Sequence, residues 1–192
     1  MAERIRIALQ DGVKQEKVSV LAYRFEWEME RVIQRTDDHP REVIWATPGR
    51  KTFVHWVEDF LVQQRYLVVQ GDDAEAVAEQ LRSKLKTLSP VDVAKRLAGT
   101  RDEGDLIDVL YKAGVAAGPE EDSALREVFD AGFRHESPDV RRAAVFAAGY
   151  AEWPGLREPL ERLAGSDPDL VVREDAAAML EGLEQVWGGG TH

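Results

Sequence analysis

Apolar and polar residues alternate strictly from Leu21 to Met29: the odd positions read Leu, Tyr, Phe, Trp and Met, while Arg24, Glu26, Glu28 and Glu30 take even ones. A period of two predicts a half-buried strand. Val18, Leu21, Phe25, Met29 and Val32 also form a helical stripe, but a helix would leave Tyr23 and Trp27 on its far side, so strand is the preferred reading. Upstream, residues 3–12 read as a short helix that Gly12 stops. Downstream, Glu42–Thr47 and Thr52–Val57 flank Pro48-Gly49, where Pro presets one corner and Gly accepts a positive φ, which predicts a β-hairpin. Tyr66–Val69 is a further apolar run. It leads through Gly71-Asp72-Asp73 into residues 74–85, where Val77, Leu81 and Leu85 recur at helical spacing. The expectation over residues 1–87 is a small α+β unit, an antiparallel sheet with a helix across one face.

Beyond Leu88-Ser89-Pro90 the period changes. Ser89 can cap and Pro90 can open a helix over Val91–Leu97, and apolar positions then recur at helical spacing over 105–114, 123–133, 138–150, 155–163 and 168–186. Gly, Pro, Asp or Ser separates each segment from the next, so residues 88–187 read as about three helical hairpins, with 188–192 (Gly-Gly-Gly-Thr-His) as a loose tail. Two of the hairpins are copies. Ser137-Pro-Asp-Val-Arg-Arg-Ala-Ala-Val-Phe-Ala-Ala-Gly149 returns as Asp167-Pro-Asp-Leu-Val-Val-Arg-Glu-Asp-Ala-Ala-Ala-Met-Leu180, with Arg141 and Arg173 offset by 32 residues. Leu125-Arg126-Glu127 returns as Leu156-Arg157-Glu158. A period near 30 points to stacked hairpins. In each copy Ser or Asp is placed to cap, Pro138 or Pro168 falls in the first turn, and Ala residues, Ala144 and Ala177 among them, are placed to let helices approach.

Those residues resemble the HEAT-repeat family, in its short form known as PBS-lyase HEAT-like repeats, whose second helix reads Asp-Pro-x-Val-Arg followed by Ala-Ala. The resemblance covers about residues 90–186 and leaves the first 87 unassigned. It implies an α+β chain in which an all-α HEAT-like solenoid follows the sheet. It also implies that Arg141 and Arg173, with Asp139 and Asp169, form a structural ladder between repeats; contact of Arg141 and Arg142 with an anion is the lesser alternative.

Composition narrows the function. With 44% apolar residues in 192, the chain can bury a sizeable core; no apolar run is long enough for a membrane span, and Met-Ala-Glu-Arg-Ile-Arg lacks a signal-peptide core, so a cytoplasmic protein is expected. The absence of cysteine excludes disulfides and thiolate chemistry. The formal charge of −11 is unevenly spread: residues 1–87 hold 14 Lys and Arg against 15 Asp and Glu, a net of −1, and residues 88–192 hold 11 against 21, a net of −10. That field disfavours nucleic acid and suits a basic partner.

No phosphate loop, dinucleotide fingerprint or nucleophile elbow is present, and His39, His55, His135 and His192 show no metal-ligand spacing, so no catalytic, cofactor-binding or metal residue is assigned. His55 lies in an aromatic strand where a buried imidazole needs a partner. Eight aromatic rings lie between Tyr23 and Tyr66, and any left on an open sheet face would mark a contact site. The expectation is a non-enzymatic protein–protein interaction module. Candidate contacts are Asp102, Glu103, Asp105, Glu120, Glu121 and Asp122, which fall at turns between helices. Rival readings are a HEAT-like DNA glycosylase, disfavoured by the acidic repeat half, a bilin lyase, and an immunity or antitoxin-like inhibitor of a basic enzyme.

Overall fold

The computed structural model describes residues 3–188, and the chain divides between Leu88 and Ser89 into two compact units. The first contains β1 (Glu3–Ala8), α1 (Gln15–Arg24), β2 (Glu28–Ile33), β3 (Arg41–Ala46), β4 (Thr52–Asp59), β5 (Gln64–Gly71) and α2 (Ala74–Arg82). All strand pairs are antiparallel, in the order β1-β5-β4-β3-β2. Residues directly opposite in such pairs share a face. Ile7, Leu67, Val69, Val54, Trp56, Val43 and Trp45 therefore point one way, and α1 and α2 close over them with Val18, Leu21, Ala22, Ala78 and Leu81. The expected sheet is present, with two helices on that face.

Two segments differ from the sequence reading. Residues 3–8 form a strand and not a helix: Ile5 and Ile7 alternate with Arg4 and Arg6, and pairing with β5 satisfies the backbone that the thin apolar stripe could not hold in a helix. Of Leu21–Met29, expected as one strand, residues 21–24 end a helix that begins at Gln15, and only Glu28 and Met29 lie in a strand. The stripe Val18, Leu21 and Ala22 is buried, while Tyr23 is 85% exposed, so the alternation from Leu21 to Met29 is a coincidence of two elements. Glu26, at φ 57°, turns the chain out of α1, and β2 begins only at Glu28. The hairpin at Pro48-Gly49 forms with Gly49 at φ 80°. Gly71 is required for another reason: a Cβ there would lie within 2.1 Å of the Lys51 carbonyl oxygen.

The second unit consists of α3 (Pro90–Leu97), α4 (Glu103–Ala116), α5 (Ser123–Phe133), α6 (Pro138–Ala151), α7 (Arg157–Ser166) and α8 (Leu170–Gly188). Consecutive helices pack in pairs, α3 on α4, α5 on α6 and α7 on α8, and short connections make each pair antiparallel. Across pairs, α4 packs on α6 and α6 on α8. Small residues set these contacts. Ala143, Ala144, Ala147 and Ala148 are all buried, and a Cβ on Gly114 would meet the Ala147 carbonyl oxygen at 2.6 Å. Ala177 departs from the expectation: it is exposed, and the buried counterpart of Ala144 is Ala176. Gly188 closes α8, so the expected tail begins one residue later, and residues 189–192 lie outside the described ones.

Caps delimit the helices. Ser89 and Asp92 form a reciprocal capping box on α3, Asp102 accepts from the Asp105 N–H at the start of α4, and Asp122 accepts from Ala124 and Leu125 at the start of α5. In the second copy the capping carboxylate is Asp169, which accepts from Val171 and Val172. Ser137 departs from its expected role: its hydroxyl makes no cap and instead donates to Glu103 at 2.8 Å.

Candidate interaction surface

The six acidic candidates do not converge. Asp102, Glu103 and Asp105 sit at the N-terminal end of α4, and Glu120, Glu121 and Asp122 follow its C-terminal end, separated by a helix about 20 Å long at 1.5 Å per residue. Most already serve the fold. Asp102 and Asp122 are caps, Asp105 accepts from the Arg101 N–H at 3.1 Å, Glu103 holds Ser137, and Glu121 receives Arg126 at 2.8 Å. Arg126 also donates to the Gly155 carbonyl, tying the α4–α5 connection to the α6–α7 connection. Glu120 is exposed.

Arg141, the arginine that recurs as Arg173 in the second copy, is held on several sides. Arg141, 7% exposed, grips Asp167 through Nε and Nη2 at 2.7 and 2.8 Å, and its Nη1 donates to the carbonyls of His135 and Glu136. This bidentate clasp joins the start of α6 to the α7–α8 connection of the next pair. Burial opposes ionisation of Asp167, but the Arg141 guanidinium and the Asp169 N–H outweigh it and hold the carboxyl below its ordinary range. The ladder therefore differs in membership from the one expected: Arg141 pairs with Asp167, Asp169 is a cap, Asp139 lies 4.0 Å from Arg142, and Arg173 donates to the Asp167 carbonyl. With four of its five N–H donors used and the residue 7% exposed, Arg141 is committed to the fold rather than open to an anion.

A second link runs along α4, α6 and α8. Arg142 donates to Asp175 on α8 at 2.7 Å, and Tyr111 on α4 lies close enough to Arg142 and Asp139 to feel their charges, its own pKa raised by burial. The Met179 thioether packs on Gly149 closely enough that a Cβ there would make it shift. These three helices hold 8 Asp and Glu against 4 Lys and Arg, a net of −4, whereas α3, α5 and α7 hold 5 against 5. Charge thus distinguishes the two sets of helices, and within the first set Phe146 is exposed at 38%.

The chain matches no family model, no curated protein and no solved structure.

In the sheet unit, His55 finds its partner across the strands: its Nδ1 lies 2.7 Å from Glu42, which also stands 3.7 Å from His39. The bond from His55 holds the Glu42 carboxyl below its usual range against the opposing effect of burial. Among the described residues no group of three or more His, Asp or Glu is arranged to hold a metal ion. Trp27, Trp45 and Trp56 belong to the core under the helices, and Tyr66, on the opposite sheet face, is 7% exposed with its hydroxyl on Asp59 at 3.0 Å. The sheet face expected to present an aromatic patch does not do so; the exposed ring of this unit is Tyr23, on α1.

The sequence does not single out Asp167 or Asp175 as partners between helices. Asp167 opens the second copy, where its place before Pro168 suggests a helix cap and not a clasp on Arg141.

Proposed function

We propose that this chain is a non-enzymatic interaction protein whose second unit is a HEAT-like stack of three helical hairpins, binding a basic protein partner through the side formed by α4, α6 and α8. The observation that carries the reading is the charge difference between the two sets of helices, −4 against 0, in a unit whose net charge is −10. Helical pairs do not need that difference to fold, since solvent-facing positions accept either sign. The inter-pair links support the stack: the Arg141–Asp167 clasp and the Arg142–Asp175 bridge each join one hairpin to the next, as nearest-neighbour coupling in a repeat array requires. A partner drawn by such a field associates faster at low ionic strength and loses that advantage as salt screens charges over about 8 Å at physiological strength.

The test uses the full chain as bait, with captured proteins cross-linked and mapped. The expected result is a partner rich in Lys and Arg, cross-linked to residues of α4, α6 or α8 and released by salt. A partner held equally well at high salt, or cross-linked only to the sheet unit, overturns the reading. So does retardation of duplex DNA by the protein at low salt, since an acidic surface gives a phosphate backbone nothing to bind.

A further inference from the structure

The chain leaves β1 through residues 9–14 and comes back beside them after α2. The Gln10 N–H donates to the Lys86 carbonyl at 2.9 Å, the Leu88 N–H donates to the Ala8 carbonyl, and the Gln10 side chain reaches the Thr87 carbonyl. Val13, Val18 and Leu85 are buried in one core cluster with Leu9 and Leu81. Each has an exposed lysine next to it in sequence: Lys14 follows Val13, Lys17 precedes Val18, and Lys84 and Lys86 flank Leu85. Two segments far apart in the chain thus bring four lysines to one end of the sheet unit, around the start of α1 and the end of α2.

These lysines have no counter-charge. Among the described residues Lys14, Lys17, Lys84 and Lys86 enter no ion pair and no side-chain hydrogen bond, whereas Arg41, Arg50 and Arg82 of the same unit are paired with Glu58, Glu30 and Glu75. Acids are not scarce, since the chain has 36 against 25 Lys and Arg. Two of the four also stand where a helix disfavours them. Lys14 is the N-cap of α1 and makes no cap, and Lys17 lies in the first turn, so both meet the positive end of the helix dipole. An aspartate at position 14 would give a first-turn N–H the acceptor that lysine does not. Function is the recurrent reason for a chain to keep a residue that costs stability.

Charge decides the class of partner. Within residues 10–17 and 82–87 five Lys and Arg stand against two acids, Asp11 and Glu16, in a chain whose net charge is −11. A phosphate backbone carries its charge without interruption and would meet the repulsive field of the whole molecule. A short acidic stretch of a protein needs only a few carboxylates within reach of the lysines, and it can set a neutral or basic residue against Glu16. Lysine also suits such a contact, because its mobile ammonium follows carboxylates of no fixed geometry, where bidentate recognition calls for arginine.

We propose that this lysine edge docks an acidic segment of a protein partner, so that the two units of the chain carry contacts of opposite sign. The surface is separate from α4, α6 and α8 and stands or falls without them.

The test is fluorescence anisotropy of short labelled peptides titrated with the full chain at low and physiological salt: one rich in Glu, one with Gln in the same places, and one rich in Lys. The Glu peptide should bind more tightly than the Gln peptide, weaken with salt, and lose at least about tenfold when all four lysines are changed to glutamine. Lys14→Gln with Lys17→Gln, and Lys84→Gln with Lys86→Gln, should each produce part of that loss, because the surface joins both segments. Lys14→Asp should raise the thermal midpoint and still weaken the Glu peptide, a loss that a merely solvated lysine would not show. Lys51 and Arg31 are exposed cations that stand apart from this edge, in the turn after β3 and on the strand at the other side of the sheet, and their change to glutamine should leave binding as it was. The proposal is overturned if the Glu and Gln peptides bind alike, if the four-lysine variant binds the Glu peptide as the parent does, or if the Lys51 and Arg31 changes weaken it as much. Duplex DNA that binds the parent through the same four lysines, more tightly than the Glu peptide, overturns it as well. The Lys peptide reports the acidic helices alone: its binding should survive the four-lysine change, and its failure counts against the reading of α4, α6 and α8 and not against this one.

Discussion

The Arg141–Asp167 pair is a costly place to make a single change. Both side chains are buried, at 9% and 2% exposure, and the guanidinium also satisfies two carbonyls. Removing one partner strands an uncompensated charge, so Arg141→Ala should destabilise by about 3–5 kcal/mol in denaturant melts. Arg173→Ala, which loses one bond to the Asp167 carbonyl, should cost well under half of that. Acid acts on two of these sites in the same direction. The carboxyls of Glu42 and Asp167 both titrate below their ordinary values in the folded protein, so each contributes stability that is complete above its unfolded pKa and is lost as pH falls through the folded one. Glu42→Gln should therefore flatten the fall in stability below about pH 4.5, the ordinary value of that group, when denaturation midpoints are compared between neutral and acidic buffers. An unchanged acid limb in that variant would show that the His55 bond contributes no linkage.

At the scale of elements, the two alanines of the repeat separate packing from periodicity. Ala144 is fully buried against the α5 side, where a Cβ on Gly132 would already touch it at 2.9 Å, so Ala144→Leu should overpack and cost about 1–3 kcal/mol. Ala177 faces solvent, and Ala177→Leu should lie within about 0.5 kcal/mol of the parent in the same thermal or chemical melts. Strand β2 illustrates a different constraint. It is the last strand of the sheet, five of its six residues are exposed, and Met29 and Val32 stand out at 66% and 41%. A bulge between Met29 and Arg31, with charges at Glu28, Glu30 and Arg31, keeps such an edge from pairing with another chain. Replacing those three charges with valine should raise light scattering on concentration, whereas the parent stays clear.

Across the whole molecule, the hairpin at Pro48-Gly49, helix α2 and the six helices of the second unit were legible because each combines a clean period with a specific stop signal. Residues 3–33 were not. There the period-two and period-four patterns coexist, and for β1 the choice is made by pairing with β5, where Ile7 lies opposite Leu67, 60 residues later, which no local window contains. The candidate site failed for a related reason. Acidic residues at turns read as a cluster on paper, yet one helix length parts them and hydrogen bonds to nearby N–H groups consume several.

The exposed side of α8 has one more consequence. Where α6 offers Arg142 and Gly149 to the helix that follows it, α8 has Glu174 and Glu181, and both are exposed. The surface that α6 gives to α8, an arginine that reaches Asp175 and a glycine that admits the Met179 thioether, is therefore not repeated on α8, where the same two positions carry charge of the opposite sign and a longer side chain.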